Sequence, residues 1–557
     1  MKLNNIIKPV KLLALAALLL PAQSCEDVLD EVVVSGIGNN YINTPKGFED
    51  AVNAAYSTLR YWYGTQQGLT LTEYGTDIYA TGADGGYKGF HFYDTQLNPS
   101  VNYLGNVWDE LYRGINTCNA IVDRAPESTV AAATKTIRVA EAKFLRAHYY
   151  FILFQQYGGV DLRLSETLAP TKTTTRASDS EMYTAIISDL DAAIADLPAT
   201  QSQYGRATKA AAEMALAKVY LAKAYSSSKS NDDFSKAATL SQSVINNYGF
   251  ALLDDFASVF DENNQKNSEI VFSVQYTSDP LTNLTNNTGA VNGGNNLHLF
   301  FGMQYDVQSG MQRDIFYGRP FKRLRPTTYA LETVFGERVN DSRYKKTFRD
   351  TWKSNKPGTY NSAFDDSKTT LKFASGDTTI FIPGYEMSKE ERAKRPYQVL
   401  NPSQYSESLY PTLIKFFDTK RPDMTYESGS RDFFVFRLAD AYLMLAEAQL
   451  GAGNIQDATE AINMVRKRAG WPGKKEAMVI TSAEMNMTML MEERARELAG
   501  EQTRWMDLKR WGNLVDRVKL YNPQAADNVA AIHLLRPIPQ TQIDRSDVGV
   551  FKQNPGY

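Results

Sequence analysis

The sequence predicts a mainly α protein: a discontinuous scaffold of about four tetratricopeptide-like helix pairs, with long loop-rich insertions and minor β structure. Three observations lead there. Helical hydrophobic periodicity recurs in pairs along the chain. Two of the pairs align with each other at a spacing close to the ~34-residue tetratricopeptide period. The stretches between pairs are long, irregular and rich in Gly, Asn, Asp and Tyr.

Taken in order, the chain starts with Lys2, Lys8 and Lys11, then nine apolar residues, Leu12 to Leu20. That run is too short to span a bilayer as a helix and has the layout of a secretory signal peptide over residues 1–24. It ends at Cys25, one of only two cysteines, where a thiol can take a diacylglyceryl group and become the new N-terminus. The four residues Ala22, Gln23, Ser24 and Cys25 lack the usual leading Leu of a lipobox, but position and small size point to lipidation. The other cysteine, Cys118, sits in a helical pattern and is expected to be a small buried hydrophobe. "SGIGNNYINTPK" (35–46) reads as tether, so residues 25–47 form a lipidated, flexible N-terminus ahead of a single domain at 48–557.

The clearest helix pair is "RLADAYLMLAEAQLGAGNIQDATEAINMVRKRAG", with Leu438, Ala441, Tyr442, Leu445 and Ala446 on one face and Ile455, Ala458, Ile462, Val465 and Ala469 on the next. Asn454 is placed to cap the second helix, and Gly470 and Pro472 to end it. "MALAKVYLAKAYSSSKSNDDFSKAATLSQSVINNYG" repeats the pattern, Tyr220 matching Tyr442, Ala224 matching Ala446 and Ala237 matching Ala458. Looser pairs occupy 139–197 and 48–125. The insertions, near 72–106 and 277–405, contain strand-like runs such as "EIVFSVQY" and "TTIFIP", and long irregular segments on a rigid scaffold are where binding residues concentrate.

Composition excludes several functions. Hydrophobic residues make up 43% and charged residues 22%, an ordinary globular balance. Formal charge is −3; without the leader lysines 57 basic residues face 63 acidic ones, and no basic surface for nucleic acid accumulates. The four histidines form no HExxH, no GxSxG or CxxC is present, and "GAGNIQ" fails the dinucleotide pattern, so no cofactor or metal is expected. "DENNQKNSE" at Asp261 fails as a calcium loop because Lys266 stands where glycine is needed and Phe272 where the closing glutamate belongs. His148 reads as a packing residue. Paired carboxylates for glycoside hydrolysis stay open, since 63 acids offer many pairs, and a glycan-degrading enzyme is the lesser alternative to a binder.

The order of "SCEDVLD", "AEAKFLRAHYYFILFQQYGGVDL", "FRLADAYLMLAEAQ", "MEERARELAGEQTRWMDLKRWG", "LLRPIPQTQID" and "QNPGY" is similar to the SusD/RagB family of Bacteroidetes outer-membrane nutrient-binding lipoproteins. The resemblance implies an outer-membrane, exterior-facing protein held in lipid through acylated Cys25, with Glu26 and Asp27 resembling a surface-export signal. It implies a SusC-like TonB-dependent transporter as partner and an oligosaccharide, or in the RagB branch a peptide, as cargo. By position it points to Asp77, Tyr87, Asn98 and Tyr103 in the first insertion and Tyr317, Arg319 and Trp352 in the central one. Flat rings accept the apolar face of a sugar, while fixed Asp, Asn and Arg groups bond its hydroxyls. "RPFKRLR" (319–325) suits acidic sugars or a peptide carboxylate, or else pairs with Glu337 and Asp341. The charged segment around Glu492, Arg496, Glu497 and Arg504 is expected to be a structural ion-pair network, each pair worth a few tenths of a kcal/mol if on a solvated face.

Overall fold

The computed structural model describes residues 40–279, 281–283, 294–547 and 549–557. The expected signal peptide, Cys25 and most of the tether lie outside these residues. Helices of eight or more residues are numbered in chain order. The scaffold comprises α1 (Pro45–Ser57), α2 (Asn102–Arg124), α3 (Ala132–Tyr157), α4 (Asp179–Asp196), α5 (Lys209–Ala224), α6 (Asp233–Asn247), α7 (Leu438–Gly451) and α8 (Ile455–Ala469). The C-terminal region adds α9 (Met487–Leu498) and α10 (Leu514–Tyr521).

Each scaffold helix packs on the next, so the expected four pairs form one continuous stack. α6 packs directly on α7 although the chain makes a long excursion between them. Small residues permit the close crossings. Ala237, Ala446 and Ala458 are fully buried, and a Cβ at Gly114 of α2 would come within 2.7 Å of Thr58 and 2.9 Å of Tyr149. Cys118 is buried without a disulfide, and His148 packs in the core with its Nε2 2.8 Å from the Tyr63 hydroxyl.

The Thr44 side chain caps α1 at the Gly47 amide, which sets the helix start at Pro45. One local expectation needs correction. Asn454 occupies the N-cap position of α8 but makes no capping bond; its side-chain amide donates to Gln449 Oε1 instead.

The insertions carry small sheets. The strands are β1 (Tyr79–Thr81), β2 (Ile270–Val274), β3 (Leu324–Pro326), β4 (Phe348–Arg349), β5 (Thr351–Lys353), β6 (Gly358–Asn361), β7 (Thr370–Phe373), β8 (Thr378–Phe381), β9 (Gln398–Val399), β10 (Thr412–Leu413) and β11 (Phe433–Arg437). β2 and β8 correspond to the two strand-like runs in the sequence. β11 pairs antiparallel with β2 and runs straight into α7, so the excursion is pinned at both ends. Around β5, β8 and β9 the central insertion builds its own small core from Met303, Tyr305, Met311, Tyr317, Trp352, Ile380, Ile382, Leu400 and Tyr410. No helix among the described residues is long and apolar enough to cross a membrane.

The charged C-terminal segment is not on a solvated face. Glu493 and Glu497 of α9 are fully buried. Arg437 Nη1 reaches Glu497 at 2.6 Å, Arg343 Nη1 reaches Glu493 at 2.6 Å, and Arg468 bonds both Glu497 and Glu269. Lys415 and Arg437 both pair with Glu501. Of the two acids offered as alternative partners for the basic run at 319–325, Asp341 is held by Arg343 at 2.7 Å and Glu337 accepts the Val339 and Asn340 amides. Burying so many charges is costly unless each is paired, and here they pair across the scaffold, the central insertion and the C-terminal region.

Candidate functional face

The two insertions meet edge to edge. β1 pairs antiparallel with β3, Ala80 opposite Arg325, and the ladder continues into the loops through Gly82 N–H to the Arg323 carbonyl (2.8 Å) and Asp84 N–H to the Lys322 carbonyl (3.2 Å). Any Cβ at position 82 would sit 2.2 Å from the Lys322 carbonyl, so this approach requires glycine. Ala83 N–H donates to the Glu407 carbonyl at 2.9 Å, which ties in a third loop. Two non-glycine residues here adopt left-handed backbone, Tyr87 at φ +64° and Lys322 at φ +46°. Such strain concentrates at functional surfaces.

Tyr87 and Tyr103 come together. Their rings stack at 3.5 Å between centroids with a 22° tilt, Tyr87 half-buried above and Tyr103 buried below. Burial pushes the Tyr103 hydroxyl well up from its ordinary value. Asn98 folds its side chain into the loop before α2, accepting from Ser100 N–H (3.0 Å) and donating to the Thr95 carbonyl (3.1 Å). Arg319 lies half-buried against Glu427 at 2.5 Å with its guanidinium 4.9 Å from the Phe321 ring. Lys322 pairs with Asp84 at 3.0 Å.

Three of the sequence-derived candidates are placed differently from expectation. Asp77 is fully buried: Arg504 bonds both its oxygens (2.8 and 2.6 Å) and Arg517 one of them (2.7 Å). Burial alone pushes its carboxyl up, but the two guanidinium groups outweigh that and hold it below the ordinary value. Its carboxylate is thus used inside the fold and is absent from the surface. Trp352 is 1% exposed at the centre of the insertion's core. Tyr317 is also buried, its hydroxyl 2.9 Å from the Lys353 amide and 3.1 Å from the Lys353 carbonyl.

Phe316, which the sequence reading passed over, is 56% exposed and sits edge-on to the Tyr317 ring at 5.0 Å. Beside it stands Arg349 of β4, with Phe417 beyond. An aromatic alternating with arginine in "FYGRPFKR" hinted at the first of these; nothing local marked Arg349. The four histidines are buried, and burial pushes His91 and His148 down to about 3 and His533 to about 4. They remain neutral inside the fold.

A repeat-like helical stack presenting a face built from two insertions defines a class of helical scaffold proteins with insertion-built faces. A family model described as "SusD family" matches residues 256–557, and a second, "Starch-binding associating with outer membrane", matches residues 47–221. The chain belongs to the SusD/RagB family, as its sequence resemblance implied. A curated SusD-like protein P25 of Formosa agariphila is 25% identical, with 98% of each chain covered. A solved SusD homologue from Bacteroides thetaiotaomicron superposes with a TM-score of 0.71 at 22% identity over 93% of this chain and 98% of that one. A laminarin-binding SusD-like protein superposes with a TM-score of 0.66 at 23% identity over 92% and 100%.

Proposed function

We propose that this protein is a lipid-anchored binder on the outer membrane that captures an oligosaccharide and delivers it to a SusC-like TonB-dependent barrel. The observation that carries the reading is the face where the insertions join, with Tyr87 stacked over Tyr103, Arg323 acting on the Tyr103 hydroxyl and Lys322 paired with Asp84. Stacked and exposed rings suit the apolar side of a sugar, and the charged groups beside them suit its hydroxyls. Membership of the family and the laminarin binder among its structural neighbours support an oligosaccharide over a peptide. Acylation of Cys25 would confine the protein to the membrane plane, where it meets a barrel at high effective concentration. The domain plan is then signal peptide 1–24, lipidated tether from 25, and one binding domain.

Incubation of the mature chain with neutral and acidic glycans, read by affinity electrophoresis and product analysis, tests the reading. Retarded migration with the glycan intact is expected; new reducing ends would instead reveal an enzyme. Cys25→Ser should move the protein from the membrane fraction to the soluble fraction with glycan affinity unchanged. Its retention in the membrane fraction would remove the lipid anchor from the account.

A further inference from the structure

Arg349 is a half-buried cation with no carboxylate at salt-bridge distance among the described residues. Its guanidinium carbon lies 4.8, 4.7 and 4.9 Å from the ring centroids of Phe316, Tyr317 and Phe417. Its Nη1 is sealed from solvent with no hydrogen-bond partner, although the residue as a whole is only half-buried. Arg343, Arg437 and Arg494, buried in the same fold, face carboxylates, whereas Arg536 packs against the Phe90 and Trp505 rings much as Arg349 packs against its own. Asp314, the carboxylate that acts on Arg349, spends its oxygens on the Tyr317 amide (2.8 Å) and the Asn355 side chain (2.5 Å). Asp350, next in the chain, is held by Lys345 and Thr351. Burial pushes the Arg349 guanidinium down to about 10, only partly offset by Tyr317, Tyr305 and Asp314, yet it stays charged at neutral pH.

Aromatic faces stabilise a cation only partly, and a half-buried guanidinium left without an oxygen partner is costly. With Nη1 sealed, the remaining N–H groups, Nε and Nη2, form the edge where a planar pair of oxygens would fit. Phe316 at the rim offers an apolar platform next to that edge.

We propose that Arg349, with Phe316, Tyr317 and Phe417, forms a subsite for a negatively charged substituent, a carboxylate or sulfate ester, on the bound oligosaccharide. This rests on the glycan-binding reading above and narrows its substrate class to acidic glycans.

The test is calorimetric titration of the mature chain with a neutral β-glucan hexamer, an oligouronate and a sulfated oligosaccharide, each at low and high salt. Either acidic ligand, or both, should bind more tightly than the neutral one, and the advantage should shrink with salt; the two acidic arms tell carboxylate from sulfate. Arg349→Met should weaken the acidic ligand ~10–100-fold while leaving neutral-glycan affinity and the melting temperature near wild type. Arg349→Lys, which keeps the charge but loses the fork, should fall between. Should Arg349→Met not fold, the panel and salt series on wild type still decide. Equal or weaker binding of acidic ligands by wild type overturns the subsite while leaving the glycan-binding reading intact. Binding of no oligosaccharide, with acidic peptides bound instead, overturns both.

Discussion

Tyr87 holds a left-handed backbone on the face where the two insertions join. A left-handed backbone costs a non-glycine residue roughly 1–2 kcal/mol, and its stack on Tyr103 returns about 0.5–1.5 kcal/mol. The pair therefore holds one ring flat and in place before any ligand arrives. Tyr87→Ala should weaken glycan binding by up to about tenfold, measured by titration, with little change in melting temperature. A variant that binds as wild type does would remove this ring from the ligand surface. Sequence position identified Tyr87 and Tyr103 as a neighbourhood but not that one lies beneath the other. Asp77 was illegible for a different reason. Its arginine partners lie 427 and 440 positions away, and no local pattern signals a pairing at that range.

At the scale of elements, the helices were legible because each buries a stripe repeated every three or four residues, and their order fixed the pairs. Of the strands only β2 and β8 were, because all are two to five residues long and owe their existence to a distant partner. "FFVFR", just before α7, is β11 because β2 lies alongside it. The charged helix α9 was legible as a structural ion-pair network but not its depth: its carboxylates are buried and meet arginines delivered by three other segments. Removing one member of such a buried network leaves the others unpaired. Glu497→Gln should therefore destabilise the fold by about 3–5 kcal/mol, read by chemical denaturation. A loss below about 1 kcal/mol would mean that the network behaves as a surface one.

For the whole molecule the same charges set the response to pH. Burial pushes the carboxyls of Glu497 and Asp507 up, but the surrounding guanidinium groups outweigh it and hold both at about 2. Their contribution is complete above the unfolded values near 4 and is lost as pH falls toward 2. The buried neutral histidines act in the same direction from about pH 6.5 downward. Glu73 is opposite. Burial raises its carboxyl to about 8, with Oε1 accepting the Thr503 amide and Oε2 unpartnered, so its contribution is lost as pH rises from about 4.5 to 8. Melting temperature should thus drop steeply in acid, and Glu73→Gln should gain on wild type progressively from pH 4.5 to 8. A constant difference between the two proteins over that range would show that Glu73 titrates normally.

Because α6 rests on α7, the two ends of the central excursion emerge side by side, and the stack continues as though nothing had been spliced in. The excursion is thereby separable from the architecture: a different one transplanted between the same two helices leaves the frame in place. The graft is not free, however. It has to bring its own Asp341 and Arg343, the rivets that fasten the transplanted lobe to Glu493 and Glu497 underneath.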